Sequence, residues 1–92
     1  MTASKRVKVI NEVGFHARPA MAFVDLANSH TSSIKVFKHG DDPAEADGKS
    51  ILQMLTLAAV PGTEMTIEAD GPDAQQAVEK LAKLFEEKFG EK

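Results

Sequence analysis

The sequence predicts an α+β fold. It is an open-faced two-layer sandwich, with a four-stranded antiparallel sheet covered on one face by three helices in the order β-α-β-β-α-β-α. Three observations predict it. Short segments alternate apolar and polar residues, the period of a strand with one wet face. Between them apolar residues recur at intervals of three and four, which marks helices with a single buried stripe. The connections are short and rich in Gly, Pro, Asn and Asp, so consecutive elements pack as neighbours around one core.

The first strand is read over Lys5 to Ile10, with Val7 and Val9 inward and Arg6 and Lys8 outward. From Ala17 the period changes: Ala20, Phe23/Val24 and Ala27 form a helical stripe that stops near Asn28-Ser29-His30. Ser33 to Lys38 alternates again, and Gly40-Asp41-Asp42-Pro43 supplies the turn to a weak strand over Ala44 to Asp47. Ser50 then caps a short helix through Ile51, Leu52 and Leu55 that Pro61-Gly62 ends, with Met54 and Leu57 toward the core. Glu64 to Asp70 is the clearest strand. Gly71-Pro72-Asp73 opens the last helix, with Asp73 where the helix dipole favours an acid and Ala74, Ala77/Val78, Leu81 and Leu84/Phe85 as its buried stripe.

Size and composition narrow the function. Residues 1–92 are read as a single domain. A folded chain of this mass exposes roughly 5,200 Å², too little to enclose a deep cavity, so a stand-alone enzyme with an internal active site is not expected. The absence of cysteine removes disulfides and thiolate metal sites, and no metal or cofactor is expected. A net charge of −3 argues against nucleic acid and anionic membranes as partners. No apolar run is long enough for a membrane span or a signal sequence, so a cytoplasmic monomer is the expectation.

One segment concentrates chemistry: Gly14-Phe15-His16-Ala17-Arg18-Pro19-Ala20. His16 falls at the start of the first helix, and Pro19 is tolerated in the first turn because N–H groups there have no intrahelical partner. The free amides of Ala17 and Arg18 lie at the positive pole of the dipole, and the Arg18 cation follows the imidazole within one turn. No acidic residue occurs between Val13 and Val24. An imidazole, free N–H groups and a guanidinium are what a transferable phosphoryl group needs. Read locally, His16 as a simple cap and Arg18 as a solvated charge fit the same pattern.

The string GFHARPA, followed by GKSILQMLTL and PGTEMTIEADGPDAQQAVEKL, resembles the HPr family, the histidine phosphocarriers of the bacterial phosphotransferase system. The resemblance runs from Arg6 to Phe89. It implies that His16 accepts phosphate on Nδ1 from phosphorylated enzyme I and passes it to enzyme IIA components of sugar permeases. Arg18 then binds the phosphoryl group. It implies a regulatory role for Ser50, phosphorylated by an HPr kinase/phosphorylase, whereas the local pattern makes Ser50 a helix cap. Met21, Ile51, Leu52 and Leu55 are expected to form an apolar docking patch, with Lys49 on its rim. A nitrogen-related regulatory carrier is the alternative within the family.

Two departures from many members bear on partner choice: a longer, acidic loop over Lys38 to Asp47, and Asp25 and Asn28 where some members carry lysines. His30 and His39 are expected on the surface. An RNA-binding sandwich is the competing class, but Trp and Tyr are absent and the best strand carries Glu64, Glu68 and Asp70. A self-contained hydrolase lacks a second group to activate water.

Overall fold

Val7, Ile34, Val36, Met65, Ile67 and Ala69 alternate with polar neighbours, and the sheet they build has one buried face. A computed structural model describes residues 1–57 and 59–91. The elements are β1 (Thr2–Lys8), α1 (Ala17–Asn28), β2 (Ser33–Lys38), β3 (Ala44–Asp47), α2 (Ile51–Thr56), β4 (Glu64–Asp70) and α3 (Ala74–Glu86), followed by a terminal turn at Lys88–Gly90. The sheet order is β1-β4-β2-β3, with every pair antiparallel. The accessible surface is 5160 Å². No described helix is long and apolar enough to cross a membrane.

The helices lie on the apolar face, α3 against β1 and β4 and α1 against α2 and α3. The other face carries Arg6, Lys8, Lys35, Glu64 and Glu68, where Lys8 stands opposite Glu64 and Lys35 opposite Glu68. Opposite charges directly across a ladder favour this register. Because each element reverses direction, β1 ends where α1 begins, and the loops after β1, β2 and α2 share one end of the molecule. The last helix returns to that same end.

Four sequence expectations shift. The first strand spans Thr2–Lys8 rather than Lys5 to Ile10, because β4 is long enough to pair Thr2 with Asp70; Val9 remains buried but donates to Thr63 O outside the ladder. The second helix ends at Thr56, well before Pro61. His30 is not a surface residue: it is 7% exposed, with Nδ1 3.1 Å from Leu26 O. His39 is half-buried, its Nε2 2.7 Å from the Thr66 hydroxyl.

Asp73 also does something the helix pattern does not announce. Its carboxylate accepts no bond from its own helix and instead takes the amides of Thr31 and Ser32 (3.0 and 2.9 Å) and the Ser32 hydroxyl. It thereby ties the turn after α1 to the start of α3. The Ser32 hydroxyl, then the two amides and nearby His30, hold its carboxyl down to about 2 from 3.8, against the opposing effect of desolvation. A carboxyl with a depressed folded pKa stabilises the fold above its unfolded value and stops doing so as pH falls through the folded one. Asp73→Ala is therefore expected to unfold at lower urea concentration than the parent at pH 7. The difference should shrink as pH drops from about 4 to about 2, read from urea melts across that window. A gap independent of pH would show that the carboxylate charge is not what the turn uses.

Candidate functional site

His16 is positioned by the turn before it. Gly14 has φ +85, and a Cβ there would lie 3.0 Å from Ala59 O and 3.1 Å from Pro61 Cδ, so only glycine fits. Phe15 N–H donates to Ala59 O (2.9 Å), and its ring stacks on Phe85 at 6.0 Å. The backbone entering His16 is thus pinned on both sides. His16 itself is the N-cap of α1, in an extended conformation and without a side-chain cap bond. The first helical bond runs from Ala20 N–H to His16 O (3.0 Å). The amides of Ala17 and Arg18 have no acceptor among the described residues. They point out of the helix start, where donors and dipole together favour an anion.

The imidazole is 38% exposed. Arg18 is exposed and forms no ion pair among the described residues, so its guanidinium is available to an incoming anion. Pro19 is buried in the first turn. These residues place a ring nitrogen, two free amides and a cation within the first turn of α1.

Ser50 lies elsewhere. It is the N-cap of α2, its Oγ accepting from Gln53 N–H at 3.3 Å. The adjacent Lys49 O accepts from Asn28 Nδ2 (3.3 Å), and Lys49 Nζ donates to His30 O (2.8 Å). Ser50 is thus beside the C-terminal end of α1, with the length of that helix between it and His16. Lys49 is half-buried and tethers two turns, not a freely solvated rim charge. Met21, Leu52 and Leu55 are exposed on the packed helices α1 and α2, and Ile51 is half-buried. Met54 and Leu57 are fully buried.

Sequence reasoning missed two contributors. Glu91 reaches His16, with carboxylate oxygens 3.1 and 3.0 Å from Nε2, so an acid does stand beside the ring despite the acid-free run from Val13 to Val24. Asn11, buried below the loop, donates from Nδ2 to both Gly14 O (2.7 Å) and Glu91 Oε1 (3.0 Å). The usable signal was parity. A β-α-β-β-α-β-α chain that reverses at each step returns its last residues to the end where the first helix starts. The same geometry exposes Ile10, Val13 and Val60 on the loops framing His16.

Comparison with known proteins agrees with this architecture. Residues 3–87 match the family model described as PTS HPr component phosphorylation site. The chain is 40% identical to phosphocarrier protein NPr of Proteus mirabilis over 91 residues, covering 99% of each chain. It is 46% identical to phosphocarrier protein HPr of Haemophilus influenzae, covering 89% of this chain and 93% of that one. Its fold superposes on a crystal structure of HPr-C-His from Thermoanaerobacter tengcongensis with a TM-score of 0.87 at 33% identity, covering 98% of both chains.

Proposed function

We infer the function from one premise: this chain belongs to the HPr family of phosphocarrier proteins. His16 is the phosphoacceptor of a sugar phosphotransferase relay in the cytoplasm. It takes a phosphoryl group from the phosphohistidine of enzyme I and gives it to a histidine of an enzyme IIA component. The observation that carries this reading is the exposed imidazole at a helix start whose Ala17 and Arg18 amides lack acceptors, beside a guanidinium without an ion pair among the described residues. Arg18 and the two amides bind the phosphoryl oxygens. Open placement suits a carrier: binding the phosphate tightly in every state would trap it without lowering the barrier to onward transfer. The partners complete the site around the ring.

The test is direct. Incubation with phosphoenolpyruvate and enzyme I is expected to place acid-labile, alkali-stable phosphate on the peptide containing His16, located by mass spectrometry. No incorporation would sink the reading.

The identity to an NPr over nearly the whole chain supports a second reading, a regulatory carrier of a nitrogen-related branch. Transfer from the phosphorylated protein to a sugar-permease IIA, compared with transfer to a nitrogen-branch IIA, separates the two. Faster transfer to the sugar component is expected here.

Ser50 is a regulatory site for an HPr kinase/phosphorylase. Phosphate there adds about 1.5 to 2 negative charges next to the apolar residues Met21, Ile51, Leu52 and Leu55, which form the docking face. Ser50→Asp is expected to keep the cap, since Asp caps as well as Ser, while Ser50→Ala costs about 1 kcal/mol. Ser50→Asp should therefore weaken enzyme I docking and slow phosphorylation of His16 with little change in Tm. Normal docking with a large fall in Tm would reduce Ser50 to a cap.

A further inference from the structure

The contact between Glu91 and His16 joins residues 75 positions apart. It is held from several sides. Asn11 is 1% exposed, and its Nδ2 donates to Gly14 O and to Glu91 Oε1. The opposite amide orientation would set an oxygen against two acceptors, so the network itself assigns the nitrogen to this side. Glu91 is only 15% exposed. The turn that delivers it has Lys88 and Phe89 both at φ 55, a left-handed conformation that non-glycine residues adopt at a cost. Phe89 offsets that cost by packing on Phe85 (4.8 Å) and on Phe15 (5.7 Å), the residue preceding His16.

An ionised carboxylate only accepts hydrogen bonds, so the ring nitrogen facing it must carry hydrogen. That nitrogen is Nε2. A neutral imidazole has one N–H, which leaves Nδ1 with its lone pair free. Among the described residues Nδ1 has no partner. We propose that Glu91, oriented by Asn11, is a positioning residue that selects the Nε2–H tautomer of His16 and turns Nδ1 outward as the nucleophile. This rests on His16 being the phosphoacceptor.

In the transfer step the Nδ1 lone pair forms the new N–P bond as the N–P bond of the donor phosphohistidine breaks. The electron pair of that bond returns to the donor's ring nitrogen. No proton leaves His16: the ring becomes a phosphorylated imidazolium that keeps its Nε2 proton, and the Glu91 carboxylate faces the positive charge that develops. A carboxylate plays the same orienting part in hydrolytic triads.

The test uses the full chain and its Glu91→Ala and Glu91→Gln variants. Long-range proton–nitrogen correlation spectra of the unphosphorylated, neutral ring are expected to show Nε2 protonated and Nδ1 bare in the parent. In Glu91→Ala both nitrogens should move toward the averaged shifts of exchanging tautomers. Phosphorylation by enzyme I should slow at least about tenfold in Glu91→Ala, the low end of what removing a group that orients a metal-bound imidazole costs, with partial recovery in Glu91→Gln, which keeps an acceptor. A parent ring protonated on Nδ1, an unchanged tautomer in Glu91→Ala, or faster phosphorylation of that variant would overturn the proposal; the last would make Glu91 an electrostatic gate. Should the parent take up no phosphate at all, the phosphoacceptor reading fails, while the spectra still decide whether Glu91 sets the tautomer.

Discussion

His16→Ala is expected to take up no phosphate from phosphoenolpyruvate and enzyme I, while keeping the fold and thermal stability of the parent. Loss of chemistry follows from the inventory of ring nitrogens. The chain has three histidines. Of these, His30 is buried with Nδ1 against Leu26 O, and His39 is half-buried against Thr66. Neither stands at a helix start with free amides, so neither can substitute. Retention of the fold follows from how little the His16 side chain contributes to packing. It makes no cap bond, and among the described residues its one polar contact is the partly exposed pair with Glu91. Removing such a pair typically changes stability by less than about 1 kcal/mol. Radiolabel incorporation and a thermal melt on the same sample check both halves. Residual phosphate on His39, or a collapse of Tm, would contradict the assignment.

The second large effect is structural. Phe85→Ala is expected to destabilise the protein by about 3–5 kcal/mol, since it empties a fully buried aromatic site. Phe85 lies at the centre of a ring cluster. Its centroid is 6.0 Å from Phe15, 6.1 Å from Phe23 and 4.8 Å from Phe89. For a domain with a total stability of about 5–15 kcal/mol the loss is severe. It corresponds to a fall in Tm on the order of 15–25 °C. The damage should also be directional, because two of the three neighbours hold the site: Phe15 precedes His16, and Phe89 sits in the turn that carries Glu91. Amide exchange at Phe15, whose N–H is bonded to Ala59 O, is expected to accelerate more than exchange in the β2–β3 hairpin. Equal acceleration everywhere would mean that the cluster stabilises the core without any special hold on the site.

Much of this architecture was legible because it rests on local chemistry. The bounds of β3 and β4 and the buried stripe of α3 follow from periodicity and turn residues. The chemistry-bearing segment is legible for the same reason: Pro19 is tolerated in a first helical turn, which places His16 at the helix start with the Ala17 and Arg18 amides free. What could not be read were contacts between residues far apart in sequence. Asp73 looked like a first-turn acid favoured by the dipole, yet its carboxylate is taken by the Thr31 and Ser32 amides. His30 followed a polar Asn-Ser pair and looked like a loop residue, yet the turn after α1 folds inward. Lys49 reads in sequence as a charge on the rim of a docking patch, yet its ammonium holds the His30 carbonyl. In each case the residue type suited several environments, and only the packing of two distant turns chose one.

The same division runs through His16. Neighbouring residues alone place an imidazole at a helix start with a cation and unpartnered amides next to it, since each of those features depends on a few adjacent backbone torsions. What faces the ring is set by long-range packing. Seven elements that reverse direction bring Glu91 back to the first helix, and the buried Asn11 amide fixes its carboxylate against Nε2. The orientation of one side chain by another needs both chain ends in one place, and chain ends meet through the topology of the sheet.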